Sequence, residues 1–269
     1  MNVLSLFDGI SCGQIALERA EIKVDNYYAS EIDRHAITVT QHNYPNTIQL
    51  GDVTQVKGID LPKIDLLIGG SPCQGFSFAG KQLNFNDPRS ALFFEFLRLL
   101  EETKPKYFLL ENVKMKKEYQ DVISKHLKVE PIEINSSLVS GQNRKRLYWT
   151  NIPNVCQPED KNISFQDILE ETHLPLSERA INYANTAKYS QDRVISVSDK
   201  CITLTTSIIA RTFKDKNGNY FKISPLEAEK LQTVPENYTS VISKTQRYKA
   251  LGNGWTVDVI AHLFNGLKH

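Results

Sequence analysis

Gly69-Gly70-Ser71-Pro72-Cys73-Gln74-Gly75-Phe76-Ser77 puts a cysteine in a glycine-rich loop directly behind an apolar run, Ile64 to Gly69. A thiol at the end of a strand is open to reactants, whereas structural cysteines usually sit within an element. Its thiolate is a strong nucleophile near neutral pH. A covalent mechanism also needs an acid or base close by. Glu111 follows a second apolar run, Tyr107 to Leu110, with Asn112 and Val113 behind it. A glutamate beside a partly buried substrate can hand it a proton. Gln142-Asn143-Arg144-Lys145-Arg146-Leu147-Tyr148-Trp149 mixes cations with aromatics. On a continuous strand Gln142, Arg144 and Arg146 share one face. That face suits phosphate or base contact, or it is a solvated basic edge.

Gly9 and Gly13 lie in a turn behind the apolar run Asn2 to Phe7. Glycines there let a ligand approach the backbone, and a following helix N-terminus favours negative charge; an ordinary tight turn would look the same. Glu31 ends the next predicted element, Asn26 to Ser30, and is placed to accept hydrogen bonds from ribose hydroxyls. Asp52 ends the third and is placed to accept from an adenine amino group. Either acid taken alone also reads as a solvated loop carboxylate.

The elements that must hold these residues alternate. Strands are expected at 2–7, 26–30 and 64–69 and at 107–110, with a short third element ending at 49–52. Helices are expected at 14–20, 34–42 and 90–102. This order implies an α/β fold with a doubly wound, mostly parallel sheet. Glu31, Asp52, Cys73 and Glu111 all follow strands, and the carboxyl edge of such a sheet is where ligands bind. From about Asn151 to Asn219 the regularity weakens into a small irregular module, with a strong turn at 214–219. Helical spacing returns at Ser224-Pro225 and again from Thr256 to Leu267. The expected division is a catalytic and cofactor-binding core at 1–150, a small recognition region at 151–221, and a C-terminal segment, 222–269, returning to the core.

The chain has 269 residues, 41% hydrophobic and 23% charged, with a net charge of +1. These values are those of a globular protein and argue against disorder. Cys12, Cys73, Cys156 and Cys201 show no zinc or redox spacing, so no metal is expected. The N-terminus has no basic and apolar leader, and no apolar run is long enough for a bilayer. A soluble intracellular protein is the expectation, in the cytoplasm or nucleoid of a prokaryotic or viral host.

The ordered motifs resemble the C5-cytosine DNA methyltransferase family, closest in flavour to the short Dnmt3-type catalytic domain. Ser5-Leu6-Phe7-Asp8-Gly9-Ile10 resembles its first cofactor motif, Ala29-Ser30-Glu31 the second and Gly51-Asp52-Val53 the third. Gly69-Gly70-Ser71-Pro72-Cys73 resembles the Pro-Cys motif, Leu92-Phe93-Phe94-Glu95-Phe96 the following helix, and Glu111-Asn112-Val113 the Glu-Asn-Val motif. Gln142 to Arg146 resembles the Q-x-R-x-R motif, Ser224 to Gln232 the ninth motif, and Leu251 to Val257 the tenth. The set covers nearly the whole chain except about 150–220. Any one motif is a weak match, but their order is specific.

The resemblance implies a Rossmann-like, class I S-adenosylmethionine-dependent fold with a small target-recognition module. It implies double-stranded DNA as partner and leaves a homodimer and a cognate restriction enzyme open. Implied catalytic residues are Cys73 adding to cytosine C6, Glu111 binding N3 and the amine, and Asn112 positioning Glu111 and the Pro-Cys loop. Arg146 would hold O2, and Arg144 would help stabilise the site. Implied cofactor contacts are Phe7, Asp8, Gly9, Gly13, Glu31, Ile32, Asp52, Val53, Leu92, Asn253 and Trp255. The chain departs from many relatives at Ser11-Cys12-Gly13, at Gly254 in place of serine, and at Val234 in place of phenylalanine before Pro235. None of these changes removes a reacting group.

One branch of the family methylates transfer RNA and typically carries Cys-Phe-Thr in its recognition region; here Cys201 is followed by Ile202 and Thr203. A catalytically dead relative would usually lose the cysteine or the Glu-Asn pair, and both are present. The family places target recognition in the motif-free stretch. A small module there reaches a short site, on the order of 2–5 base pairs. DNA contacts are expected from Gln74, Ser77 and Gln142, from Thr205 in a β-prone hydroxyl run, and from Arg211, Lys214 and Lys216. A solvated hairpin with a basic tip is the alternative for the last three.

Overall fold

The computed structural model describes residues 1–71, 91–170, 176–186, 195–196, 199–206, 212–215 and 217–268. In chain order the strands and helices of its first half are β1 (Asn2–Leu6), α1 (Cys12–Arg19), β2 (Asn26–Ser30), α2 (Arg34–Asn43), β3 (Ile48–Gln49), β4 (Leu66–Gly69), α3 (Ala91–Thr103), β5 (Tyr107–Val113) and α4 (Lys117–Leu127). Then come β6 (Ile132–Asn135), β7 (Gln142–Asn143), β8 (Lys145–Thr150), α5 (Glu178–Asn185), β9 (Ile195–Ser196) and β10 (Cys201–Ile202). The last are β11 (Thr212–Lys214), β12 (Tyr220–Lys222), α6 (Pro225–Leu231), α7 (Lys244–Asn253) and α8 (Val257–Phe264).

Seven strands form one sheet in the order β3-β2-β1-β4-β5-β8-β6. Pairing is parallel from β3 through β5, and β8 runs antiparallel to β5. The central strands read as unbroken apolar runs. Leu66–Gly69 is buried at every position, as expected where a parallel sheet is covered on both faces. Helix α3 lays Phe93, Phe96 and Leu99 into a core with Leu4, Leu6, Leu67, Leu110 and Trp149. The indole of Trp149 donates to Ser124 Oγ at 3.0 Å, so its one polar atom is satisfied inside that core.

The chain divides into two compact units. The first comprises 1–134, 145–157 and 260–269; the second comprises 135–144 and 158–259. These limits differ from a division at 150 and 221. Residues 135–144 and most of 222–269 belong with the irregular region, because their buried polar groups find partners there. Gln142 Nε2 donates to Leu231 O at 2.8 Å and to Gln232 Oε1 at 2.9 Å. Ser140 Oγ donates to Leu231 O at 2.6 Å. Lys200 Nζ donates to three backbone carbonyls, those of Ser137, Ser140 and Ile163. Helix α6 opens with a capping box between Ser224 and Glu227, with Pro225 in its first turn. Its Glu229 is fully buried and accepts from Arg247 Nη2 at 2.9 Å and from the amides of Asn237 and Thr239. A buried carboxylate is tolerated only with such partners. No described helix is long and apolar enough to cross a membrane.

Candidate active site

Parallel pairing puts the ends of β2, β3, β4 and β5 on one edge of the sheet in the first unit. Glu111 and Asn112 lie inside β5 and not behind it, because β8 pairs along β5 as far as Val113. Glu111 is opposite Tyr148 and Val113 opposite Arg146. Glu111 and Arg146 are therefore diagonal neighbours on one face of an antiparallel pair. Arg146 Nε lies 2.9 Å from Glu111 Oε1, and the two side chains are only 14% and 11% exposed. Arg146 Nη1 donates to Lys145 O at 2.9 Å.

Asn112 is 2% exposed. Its Nδ2 donates to Ser71 O at 3.4 Å and Ser71 Oγ at 3.3 Å, and its Oδ1 accepts from its neighbour Val113 N at 2.8 Å. Ser71 stands two residues before Cys73, and the Ser-Pro-Cys run was its only signal in the sequence. Cys73, Gln74, Ser77, Arg211 and Lys216 lie outside the described residues.

The β1–α1 turn holds the other cluster. Gly9 has φ +60°, a conformation costly for other side chains. A Cβ at Gly9 would meet nothing within 4 Å, so there is open space beside its backbone. Glu31 closes the turn from β2: Oε2 accepts from Gly9 N at 2.8 Å, while Oε1 accepts from Ile32 N at 2.7 Å and Asp33 N at 2.8 Å. A carboxylate has about four acceptor positions, so Glu31 keeps room for one further donor. Ile32 beside it is 75% exposed. Asp52 caps the turn after β3, accepting from Thr54 N and Oγ1, both at 2.9 Å. Phe7 and Leu92 are partly buried against the core, and Val53 and Gly13 are buried.

Asp8 sits under this turn. Tyr27 OH donates to its Oδ1 at 2.8 Å, Ser11 Oγ donates to its Oδ2, and Gln14 Nε2 links Ser11 Oγ to Thr47 Oγ1. Burial of the carboxyl pushes its pKa up to about 6, against hydrogen bonds from Ser11, Ser5 and Tyr27 that favour the anion; the charge on Glu31 adds to the rise. The folded value lies above the unfolded one, so folded protein holds the extra proton between pH 3.8 and about 6. The stabilisation is complete below that window and is lost as pH rises through about 6. Asp8→Asn cannot ionise. Its melting temperature, relative to the unsubstituted chain, should rise by a few degrees across the window and then level off. Parallel melting curves for the two proteins would assign the titration elsewhere.

The second unit holds the other candidates. The strand expected through Gln142, Arg144 and Arg146 is broken at Arg144, between β7 and β8. Gln142 and Arg144 are 0% and 4% exposed. Arg144 donates from Nη1 to Leu204 O at 2.9 Å and from Nη2 to Gly252 O at 3.1 Å and Gly254 O at 2.9 Å. Only Arg146 belongs to the first unit, with Glu111. The solvated-edge alternative thus fails for Gln142 and Arg144. Thr205 and Asn253 are exposed and Trp255 is half-buried. Lys214 lies on the β11–β12 hairpin with Nζ 5.3 Å from the centre of the Tyr220 ring. The role of Lys200 had no signal in the sequence, since it depends on contacts between distant segments; Gln232 and Gly252 lay in recognised motifs, but their partners were not legible. Among the described residues no group of His, Cys, Asp or Glu could hold a metal ion.

The fold matches solved methyltransferases. Entamoeba histolytica methyltransferase EhMeth superposes with a TM-score of 0.82 at 21% identity, covering 100% of this chain and 99% of that one. Spodoptera frugiperda DNMT2 gives 0.76 at 22% identity, covering 100% and 99%. At these identities the likeness shows the fold, which is Rossmann-like. The family model for C-5 cytosine-specific DNA methylase matches residues 1–150 and 115–269, and the chain belongs to that family of DNA-methylating enzymes. Type II methyltransferase M1.ScrFI of Lactococcus lactis subsp. cremoris is 34% identical over 96% of this chain and 76% of its own length. Type II methyltransferase M.NlaX of Neisseria lactamica is 30% identical over 99% and 96%.

Proposed function

We propose that the chain methylates C5 of a cytosine turned out of double-stranded DNA, using S-adenosylmethionine and a transient bond between Cys73 and C6 of the ring. The observation that carries this reading is the Glu111–Arg146 pair, 2.9 Å apart, beside an Asn112 bonded to Ser71, two residues before Cys73. It supplies an acid and a cation for one base edge next to the nucleophile's loop.

The residues at the β1–α1 turn fit a nucleoside. Gly9 leaves space at its backbone, Glu31 has room for one ribose hydroxyl, and exposed Ile32 offers apolar surface to a base. Asp52, Phe7 and Leu92 would complete that end. The cofactor supplies the electrophilic methyl group that C5 accepts.

The remaining chemistry belongs to the chain and the cytosine. Cys73 thiolate adds to C6 as Glu111 donates its proton toward N3, which leaves the electron pair of the C5–C6 bond on C5. Arg146, bonded to Glu111, holds that carboxyl and offers a donor to O2 as charge develops on the ring. After methylation a base removes the C5 proton. The C5–C6 double bond reforms, the Cys73–C6 bond breaks and the thiolate leaves. Glu111 recovers its proton from N3. Extruding the base first is what brings C5 and C6 within reach. The Type II designation of the relatives favours a cognate restriction endonuclease as biological partner.

The test is transfer of labelled methyl from S-adenosylmethionine to duplex DNA, with transfer RNA alongside and the product nucleoside identified. Label in DNA as 5-methylcytosine is expected. Label in RNA alone, or in another base, would overturn the reading.

A further inference from the structure

Residues Cys201–Thr206 form a short extended stretch held by residues distant in sequence. Cys201 and Ile202 pair in parallel with Gln142 and Asn143, and Cys201 N donates to Gly141 O at 2.7 Å. Thr203 Oγ1 donates to Asn143 O at 2.6 Å. Leu204 is gripped on both sides: its N donates to Gln142 Oε1 at 3.1 Å, and its O accepts from Arg144 Nη1 at 2.9 Å. Gly252 packs on the next peptide. A Cβ there would lie 2.4 Å from both C and O of Thr205 and 2.8 Å from Thr206 N, so no larger residue fits without moving the stretch. Arg144 also bonds the carbonyls of Gly252 and Gly254. One guanidinium thus holds both the stretch and the glycine packed against it.

The stretch places only Cys201 and Leu204 in the core, and the Thr205 and Thr206 side chains are exposed. So many fixed points exceed what two buried side chains require. They suit a backbone that presents hydroxyls at set positions. Hydroxyls reach base edges, and discrimination depends on holding the reading groups to a fraction of an ångström.

We infer that Arg144 is a positioning residue for sequence recognition: it fixes the stretch that offers Thr205 and Thr206 to DNA base edges, and it does not touch the reacting cytosine. This rests on the proposed function. A lysine cannot replace Arg144, because a single ammonium lacks the planar fork that reaches three carbonyls.

The experiment measures methylation across a duplex library randomised around one cytosine, together with turnover on the preferred duplex. The unsubstituted chain is measured first; no methylation of any duplex would refute the proposed function itself. Arg144→Lys should lower discrimination between preferred and next-best sequences about tenfold, on the scale of one lost base contact. Any change in its turnover should be uneven across the library, with relaxed discrimination as the readout. Thr205→Ala should relax the same positions, and adding Arg144→Lys to it should change little more. Equal loss of turnover on every duplex with discrimination intact would overturn the inference. If thermal unfolding shows that Arg144→Lys does not fold, Gly252→Ala and Thr203→Val decide. Both disturb the same stretch with Arg144 in place; relaxed discrimination supports the inference and unchanged discrimination overturns it.

Discussion

Duplex DNA carrying 5-fluorocytosine should become covalently attached to the unsubstituted chain and remain unattached to Cys73→Ser. Addition to C6 and methylation at C5 can both proceed on this base. The final elimination cannot, because fluorine occupies the place of the proton that must leave. The bond between Cys73 and C6 is therefore retained. The other cysteines make this a sharp test. Cys12 and Cys201 are 3% and 0% exposed, and burial keeps a thiol inert. Cys156 is exposed, with Sγ 3.8 Å from His262 Nε2. It is the thiol that could mimic a nucleophile, and Cys156→Ser must leave trapping intact. Adduct formation that survives Cys73→Ser and disappears in Cys156→Ser would remove Cys73 from the mechanism.

The second large effect is expected at Glu111. Glu111→Gln keeps an oxygen for Arg146 Nε, now held at 2.9 Å, but has no acidic proton to deliver. Turnover should fall by about 10²–10⁴, the range for loss of general acid catalysis. Calorimetric affinity for S-adenosylmethionine should change little, since β5 lies apart from the β1–α1 turn in strand order. Glu31→Ala should do the reverse. It removes the acceptor of three backbone amides, those of Gly9, Ile32 and Asp33, and so loosens the turn that receives the cofactor. Normal turnover of Glu111→Gln at saturation, with weakened cofactor binding, would exchange the two roles.

Much of the first unit was legible in the sequence. Parallel strands covered on both faces are mostly apolar, so β1, β4 and β5 stood out as runs, and the acids behind the predicted strands marked one edge. The break at Arg144 was not legible. A local pattern of alternating side chains is the same whether a strand continues or hands its polar groups to different partners, and those partners, Leu204, Gly252 and Gly254, lie 60 to 110 residues away. Helix α4 was missed because only Ile123 and Leu127 among its larger side chains are buried, a weak stripe among lysines and acids. Helix α7 escaped for the same reason, with Tyr248, Leu251 and Gly252 its only buried residues.

Because the second unit is assembled from 135–144 and 158–259, it cannot be exchanged between relatives as one contiguous cassette. A chimaera that imports 151–221 alone leaves Gln142, Arg144, Gln232 and Gly252 behind in the host. The grafted backbone would then meet a donor, an acceptor and a glycine surface shaped for another loop. Hybrids that also carry 135–144 and 222–259 from the donor keep those contacts matched. Recombination in nature should leave the same trace: crossovers that preserve activity should fall near 134, 144, 157 and 259, and rarely at the edges of the motif-free stretch itself.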